Sequence, residues 1–355
     1  MANLIRFENS DIVNDVQKVV TSTWSDNTNN LTTQFTSSTQ ADFTSPTSSG
    51  AHFIEVHHNA STASAQFAVA YGHRAGSGSL DFTNDTGAIG QSATRNIYSQ
   101  YRQLVFGDES SDFSFNGHIP QGIFVININR ARYKHNLKPG TLDLRIASSS
   151  AVGKEDIGVI KLTDDSVTTT GSSTVTNAGR QFNIVSGSLG TMSGSSLSQL
   201  GTTGSYGLFY PDMGFIILNE DALNGKLKYT ETFTETATSS PFITASSNTA
   251  NNNHRKLAKH ISSAAHFIVD SEEKVSSQFY FARAKNNQFN YTTNPSFVDG
   301  NGNVNIDSFI DNPTTFITTV GLYNDNNDLV AVAKLSQPVT KDFTKEALIR
   351  VKLDY

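Results

Sequence analysis

Nine histidines are the first side chains in this chain that could hold a metal, and His57-His58, with His52 nearby, is their densest group. On a strand, neighbouring side chains point to opposite faces, so the pair cannot converge on one ion without a bulge; they are read as surface or turn histidines. His254 and His260 stand six apart on a candidate helix and face different directions, and no H-E-x-x-H occurs. Gly72-His73-Arg74-Ala75-Gly76-Ser77-Gly78 could cradle an anion with converging N–H groups and Arg74. It lacks the phosphate-loop lysine, and a turn needing positive φ accounts for the glycines. Paired carboxylates, Asp164-Asp165 and Glu272-Glu273, sit in polar stretches. A glycosidase acid needs an apolar pocket to raise its pKa, so these are read as charged turns. There is no G-x-S-x-G elbow. The chain has no cysteine, which excludes disulfides, thiolate metal sites and Cys nucleophiles. No catalytic, cofactor-binding or metal residue is assigned; the expectation is a non-enzyme without cofactors.

The other concentrated chemistry is basic. Arg130, Arg132, Tyr133, Lys134 and Lys138 follow one another closely, and Arg95 and Arg102 lie on a candidate helix. Arginine and tyrosine are favoured where an interface must fix orientation, so these residues are candidates for contact with an acidic neighbour; a solvated loop is the plainer alternative. A net charge of −6 and a pI near 5.8 argue against a nucleic-acid groove. No apolar run approaches membrane-spanning length. The opening MANLIRFENSDIVNDV meets Glu8 and Asp11 before any apolar core, so a soluble protein without its own export signal is expected.

The elements that would position these residues are mostly strands. Hydrophobic residues make up 37% and charged residues 16%, both low, while 23 Phe and 11 Tyr give strands aromatic bulk to bury. Ile12, Val13, Val16, Val19 and Val20 behind Ser10-Asp11 fit a capped helix or an extended arm. From 21 to 50 the chain is rich in Ser, Thr and Asn, with Trp24, Leu31 and Phe35 as isolated anchors. Runs 53–58 and 66–71 read as paired strands. Ala93 to Phe106 sets Ile97, Tyr101, Leu104 and Val105 on one helical face, with Gly107 as C-cap. Ile123 to Asn129 reads as a strand returning through Leu142, Leu144 and Ile146, a hairpin with the basic residues at its tip. Ala250 to Ile268 suits a helix with Leu257 and Ile261 inward and His254, Arg255, Lys256 and Lys259 outward. Phe316 to Tyr323 and Leu329 to Leu335 flank an Asn/Asp turn as a hairpin, after which Pro338 breaks pairing. In the last run Ile349, Val351 and Leu353 point inward. Were that strand a detachable arm, they would instead meet a neighbouring subunit's open edge.

Several stretches, in order, resemble a family of virion structural proteins of T4-like tailed phages, especially marine cyanophages: QFAVAYGHRAGSGS, TRNIYSQYRQLVFG, IFVININRARYKHNLKPGTLDLRI, GLFYPDMGFIILNEDAL, NNQFNYTTNPSF, ITTVGLYNDNNDLVAVAKLSQPV and DFTKEALIRVKLDY. The resemblance covers most of the chain from about Trp24. It implies a component of the particle, in the tail or baseplate, assembled in the host cytoplasm. Its partners would be other tail or baseplate subunits, or copies of itself, with no nucleic acid and no membrane. The alternatives are a receptor- or glycan-binding module at a tail tip and a glycan hydrolase. The expected fold is mostly β, antiparallel and sandwich-like, with one or two short helices and long polar loops. Its expected divisions are an arm over 1–50, a β-rich region with one helix over 51–147, a Ser/Thr/Gly-rich insert over 148–204, and a β-rich region over 205–355 that could join 51–147 in one domain.

Overall fold

The computed structural model describes residues 4–36, 53–58, 64–76, 93–147, 158–168, 173–193, 204–224 and 253–354. In chain order its elements begin with β1 (Ile12–Ser22), β2 (Phe35–Thr36), β3 (Phe53–His57), β4 (Ala65–His73), α1 (Ala93–Phe106), β5 (Gly122–Ile128), β6 (Asn136–Leu137) and β7 (Asp143–Ala147). There follow β8 (Val159–Asp164), β9 (Thr174–Thr176), β10 (Gly179–Ser188), β11 (Thr191–Met192), β12 (Gly207–Tyr210), β13 (Phe215–Asn219), α2 (Glu220–Asn224) and α3 (Asn253–Ala264). The last are β14 (Phe267–Ile268), β15 (Asp270–Ala284), α4 (Ser308–Asp311), β16 (Thr315–Tyr323), β17 (Leu329–Lys341) and β18 (Ala347–Asp354). The protein is mostly β. It divides into two units, 19–273 and a smaller one made of 1–18 with 274–355.

The larger unit is built on a twelve-stranded sheet in the order β14-β7-β8-β10-β12-β13-β5-β4-β3-β2, with β9 and β11 also paired to β10. Every pairing with a defined register is antiparallel, for example Ile126 opposite both Ile216 and Val69. The middle strands are apolar on both faces. Phe124, Ile126, Phe209 and Ile216 enter one core, whereas Ile123, Val125, Leu208 and Ile217 enter a second. The first core is closed by curling. Trp24 bridges Phe67 of β4 and Phe267 of β14, with ring centroids 6.1 and 4.9 Å away, and its indole N–H donates to the Phe267 carbonyl at 2.7 Å. α3 adds Leu257, Ala258 and Ile261 to that core. The second core is covered by α1 through Tyr98 and Val105, with Tyr101 and Leu104 half-buried. α1 spans the expected residues, but Tyr98, buried as deeply as Val105, was not on the expected face. Gly72 is what lets it dock: a Cβ there would stand 2.9 Å from the backbone nitrogen of Tyr98. That glycine therefore serves close packing inside β4, and the turn beyond it falls at Gly76, with φ +88.

Several expectations are overturned here. β5 and β7 are not a hairpin; β5 lies between β13 and β4, and β7 between β14 and β8. Within 148–204 the described parts, 158–168 and 173–193, are not peripheral, because β8 and β10 are interior strands and Leu162 and Ile184 are fully buried in the first core. On α3, His254, Arg255 and Lys256 are buried rather than outward. His57 and His58 are also buried.

In the smaller unit β15 pairs with β18 from Ser277 opposite Asp354 to Ala284 opposite Ala347, and β1 lies on the other side of β15. β16 and β17 form the expected hairpin. Pro338 does not end it. The register passes from Thr319 opposite Lys334 to Ile317 opposite Val339, so Leu335 to Pro338 bulge out and the ladder resumes beyond the imino acid. Lys341, at the end of β17, is fully buried, and its ammonium donates to the Asn286 carbonyl at 3.0 Å, Asn290 Oδ1 at 2.7 Å and the Asp342 carbonyl at 2.8 Å.

Candidate interaction surfaces

The basic stretch after β5 is a short helical turn over Arg130–Arg132, capped where Asn129 Oδ1 accepts from the Ala131 N–H at 3.0 Å. Tyr133 is buried, its hydroxyl donating to the Met213 carbonyl at 2.9 Å. The Arg130 guanidinium sits 4.7 Å from the Tyr133 ring centroid and donates to its carbonyl at 2.6 Å. β6 then pairs with the first residues of β15, Leu137 opposite Ser271. Tyr133 thus anchors a crossover instead of presenting an aromatic contact, while Arg130 and Lys134 are exposed and Arg132 and Lys138 half-buried. This stretch borders a cleft of about 550 Å³ lined by Glu55, Phe67, Asn127, Arg130, Tyr133 and Asp212, among others. Both oxygens of Asp212 are taken by Arg180, at 2.5 Å from Nη2 and 2.8 Å from the backbone N–H.

Arg95 and Arg102 belong to a different cleft, of about 470 Å³, which they share with Arg74, Glu109 and Gln121. Arg74 is paired with Asp112 at 2.7 Å, and the Arg102 guanidinium lies 5.7 Å from the Tyr98 ring. The two basic groups therefore do not form one surface. Ile349 and Val351 are buried opposite Ala282 and Tyr280, and Leu353 is half-buried opposite Gln278, which makes them interior residues of their unit.

Of the carboxylates read as charged turns, Asp164, Asp165 and Glu272 are buried, and Glu273 is half-buried beside Glu272 on β15. Asp164 is fully buried, accepting from the Gly140 N–H at 2.7 Å and from the Ser166 hydroxyl. Asp165 holds the backbone and side-chain N–H groups of Asn183, each at 2.9 Å, while burial pushes its pKa up. Asp143, missed in the sequence, ties three segments together by accepting from Arg145, Ser188 and His266. Burial raises its pKa, but those partners outweigh it and hold the carboxyl below its usual range.

The most perturbed carboxyl is Glu220, at the junction of β13 and α2 and only 1% exposed. Burial pushes it up to about 7, against the pull of the Tyr71 hydroxyl, which donates to it at 3.0 Å. Gly122 makes room, since a Cβ there would stand 1.9 Å from Glu220 Oε2. Such a carboxyl suits a general acid, but Glu220 lines neither cleft. Among the described residues, no three His, Cys, Asp or Glu side chains converge.

The exposed surface of the smaller unit is its distinguishing feature. Among its described residues that unit buries seven hydrophobic side chains, none below 5% exposure, yet leaves sixteen large ones exposed, among them Phe316, Leu329, Val330, Val332 and Leu348. Both extended hydrophobic cores lie wholly in the larger unit.

The class defined by these features is a mostly β, antiparallel protein whose larger unit holds both hydrophobic cores and whose smaller unit exposes more large hydrophobic side chains than it buries. No family model, curated protein or solved structure matches it.

Proposed function

We propose that this chain is a non-enzymatic structural subunit of a contractile-tailed phage particle, in its tail, baseplate or fibre-attachment region, acting through protein–protein contacts. One observation carries the reading: the smaller unit exposes more large hydrophobic side chains than it buries. Apolar surface left open in that proportion is costly in water and fits surfaces that other subunits cover. The resemblance to T4-like virion proteins supplies the kind of particle. The Arg74, Arg95 and Arg102 cleft suits an acidic partner segment. A glycan-binding reading has less support, because Phe67 and Tyr133 in the larger cleft are buried and offer no stacking platform.

The test is a density map of the intact particle together with its protein inventory by mass spectrometry. The chain is expected at stoichiometric copy number, with the β16–β17 face covered by neighbouring subunits. Its absence from purified particles, or a face left open to solvent in the map, would overturn the reading.

A further inference from the structure

We propose that β1 joins two copies of this chain edge to edge, antiparallel, about a two-fold axis at Val16. This rests on the assembly reading above and names the partner for one strand: a second copy.

β1 is an edge strand, and among the described residues only β15 pairs with it. All its residues from Val13 to Thr21 are exposed. Val13, Val16, Val19 and Val20 are between 41 and 56% exposed. Alternation puts Val13 and Val19 on one face and Val16 and Val20 on the other, so neither face behaves as the wet side of a half-buried sheet. A long open edge of this kind is a template for another strand.

The sequence of the edge selects its partner. From Ile12 to Val20 it reads Ile-Val-Asn-Asp-Val-Gln-Lys-Val-Val, and its apolar/polar pattern is a palindrome about Val16. A two-fold axis normal to a sheet sets one residue opposite itself in the other copy. With Val16 on the axis, Ile12 meets Val20, Val13 meets Val19, Asn14 meets Lys18 and Asp15 meets Gln17. Every apolar residue then opposes an apolar one, every polar residue a polar one, and no like charges face each other. The neighbouring two-fold registers fail. With Asp15 on the axis two carboxylates collide, and Val13 and Val16 face Gln17 and Asn14. With Gln17 on the axis, Val16 faces Lys18 and Val19 faces Asp15. A slip of one residue on each strand thus destroys the match.

The chain's lack of cysteine makes the test direct. Directly opposed residues in an antiparallel pair have Cα atoms about 4.5–5.5 Å apart, within disulfide reach. Full-length Val16→Cys is therefore expected to form a covalent dimer under mild oxidation. Val13→Cys and Val19→Cys are each expected to remain uncrosslinked alone, their symmetry mates lying about 20 Å away, but to crosslink when mixed. Val16→Lys is expected to weaken self-association in sedimentation equilibrium at least about tenfold with an unchanged far-UV spectrum. Failure of Val16→Cys to crosslink, crosslinking of Val13→Cys alone as readily, or unweakened association of a folded Val16→Lys would each overturn the proposal. The two readings fail separately. A chain present in particles whose Val16→Cys form stays monomeric sinks the copy-to-copy contact alone, and a crosslinked chain absent from particles sinks the structural-subunit reading alone.

Discussion

Glu220 and Gly72 show how single residues hold the larger unit together. Burial raises the Glu220 carboxyl from its ordinary 4.5 to about 7 in the folded state, so between those pH values the native state binds more proton than the unfolded chain. The stabilisation is fully present below pH 4.5 and is lost as pH rises through 7, a swing of the order of 3 kcal/mol. His73 and His260, both pushed down to about 4 by burial, act in the opposite sense: their contribution is present above 6.5 and lost as pH falls through 4. The difference between Glu220→Gln and wild type isolates the carboxyl. Urea melts at pH 4.5 and pH 8 are expected to show the variant gaining stability relative to wild type at the higher pH, and a difference that is flat with pH would contradict a buried, proton-holding Glu220. Gly72→Ala tests packing instead. Its Cβ would meet α1 backbone, which cannot swing aside as a side-chain tip would, so a loss of about 1–3 kcal/mol is expected from thermal or chemical melts. An unchanged midpoint would mean that α1 shifts freely on β4.

At the scale of elements, what the sequence revealed and what it concealed divide by how burial is achieved. Alternating strands were legible: the pairing of β3 with β4 and the inward parity of Ala347, Ile349 and Val351 show a period of two, while the β16–β17 hairpin was marked by its Asn/Asp turn. α1 was legible from its 3.6-residue stripe, although Tyr98 lay outside it because Gly72 lets the helix sit closer on that side. β8 and β10 were concealed because their interior positions include Thr163, Asp164 and Gly187, buried by hydrogen bonds or by backbone contact and invisible to a hydrophobic pattern. The same holds for the site. Arg95 and Arg102 were found as a pair, but the third arginine of their cleft, Arg74, comes from another element that only the fold brings near. Ile184 decides whether β10 is structural. It is fully buried between Asp164 and Gly207 on the flanking strands, so Ile184→Ala is expected to cost about 2–5 kcal/mol in equilibrium unfolding. A cost below about 0.5 kcal/mol, the usual range for a surface site, would return the 148–204 stretch to the periphery.

For the molecule as a whole, the distribution of buried hydrocarbon is uneven, and this sets where it should open first. β5, β12 and β13 are apolar on both faces and belong to both cores, whereas the seven buried side chains of the smaller unit surround no comparable centre. At about 1.5–3 kcal/mol for each fully buried aliphatic or aromatic side chain, so few partly covered ones compete weakly with the conformational entropy of ordering the hairpin and its loops. Polar fasteners such as Lys341 fix geometry there; its charged hydrogen bonds add about 1.5–3 kcal/mol each, offset in part by the cost of burying the ammonium. Amide hydrogen exchange on the free chain is therefore expected to follow global unfolding in β5, β12 and β13, and a local opening of much lower free energy in β16 and β17. Covering the exposed face by other subunits adds the missing burial, so the same hairpin amides are expected to slow by orders of magnitude in the assembled particle, since each 1.4 kcal/mol gained slows them about tenfold. If β16 and β17 already matched β5 in the free chain, the smaller unit would be stable unaided, and its exposed hydrocarbon would no longer argue for assembly.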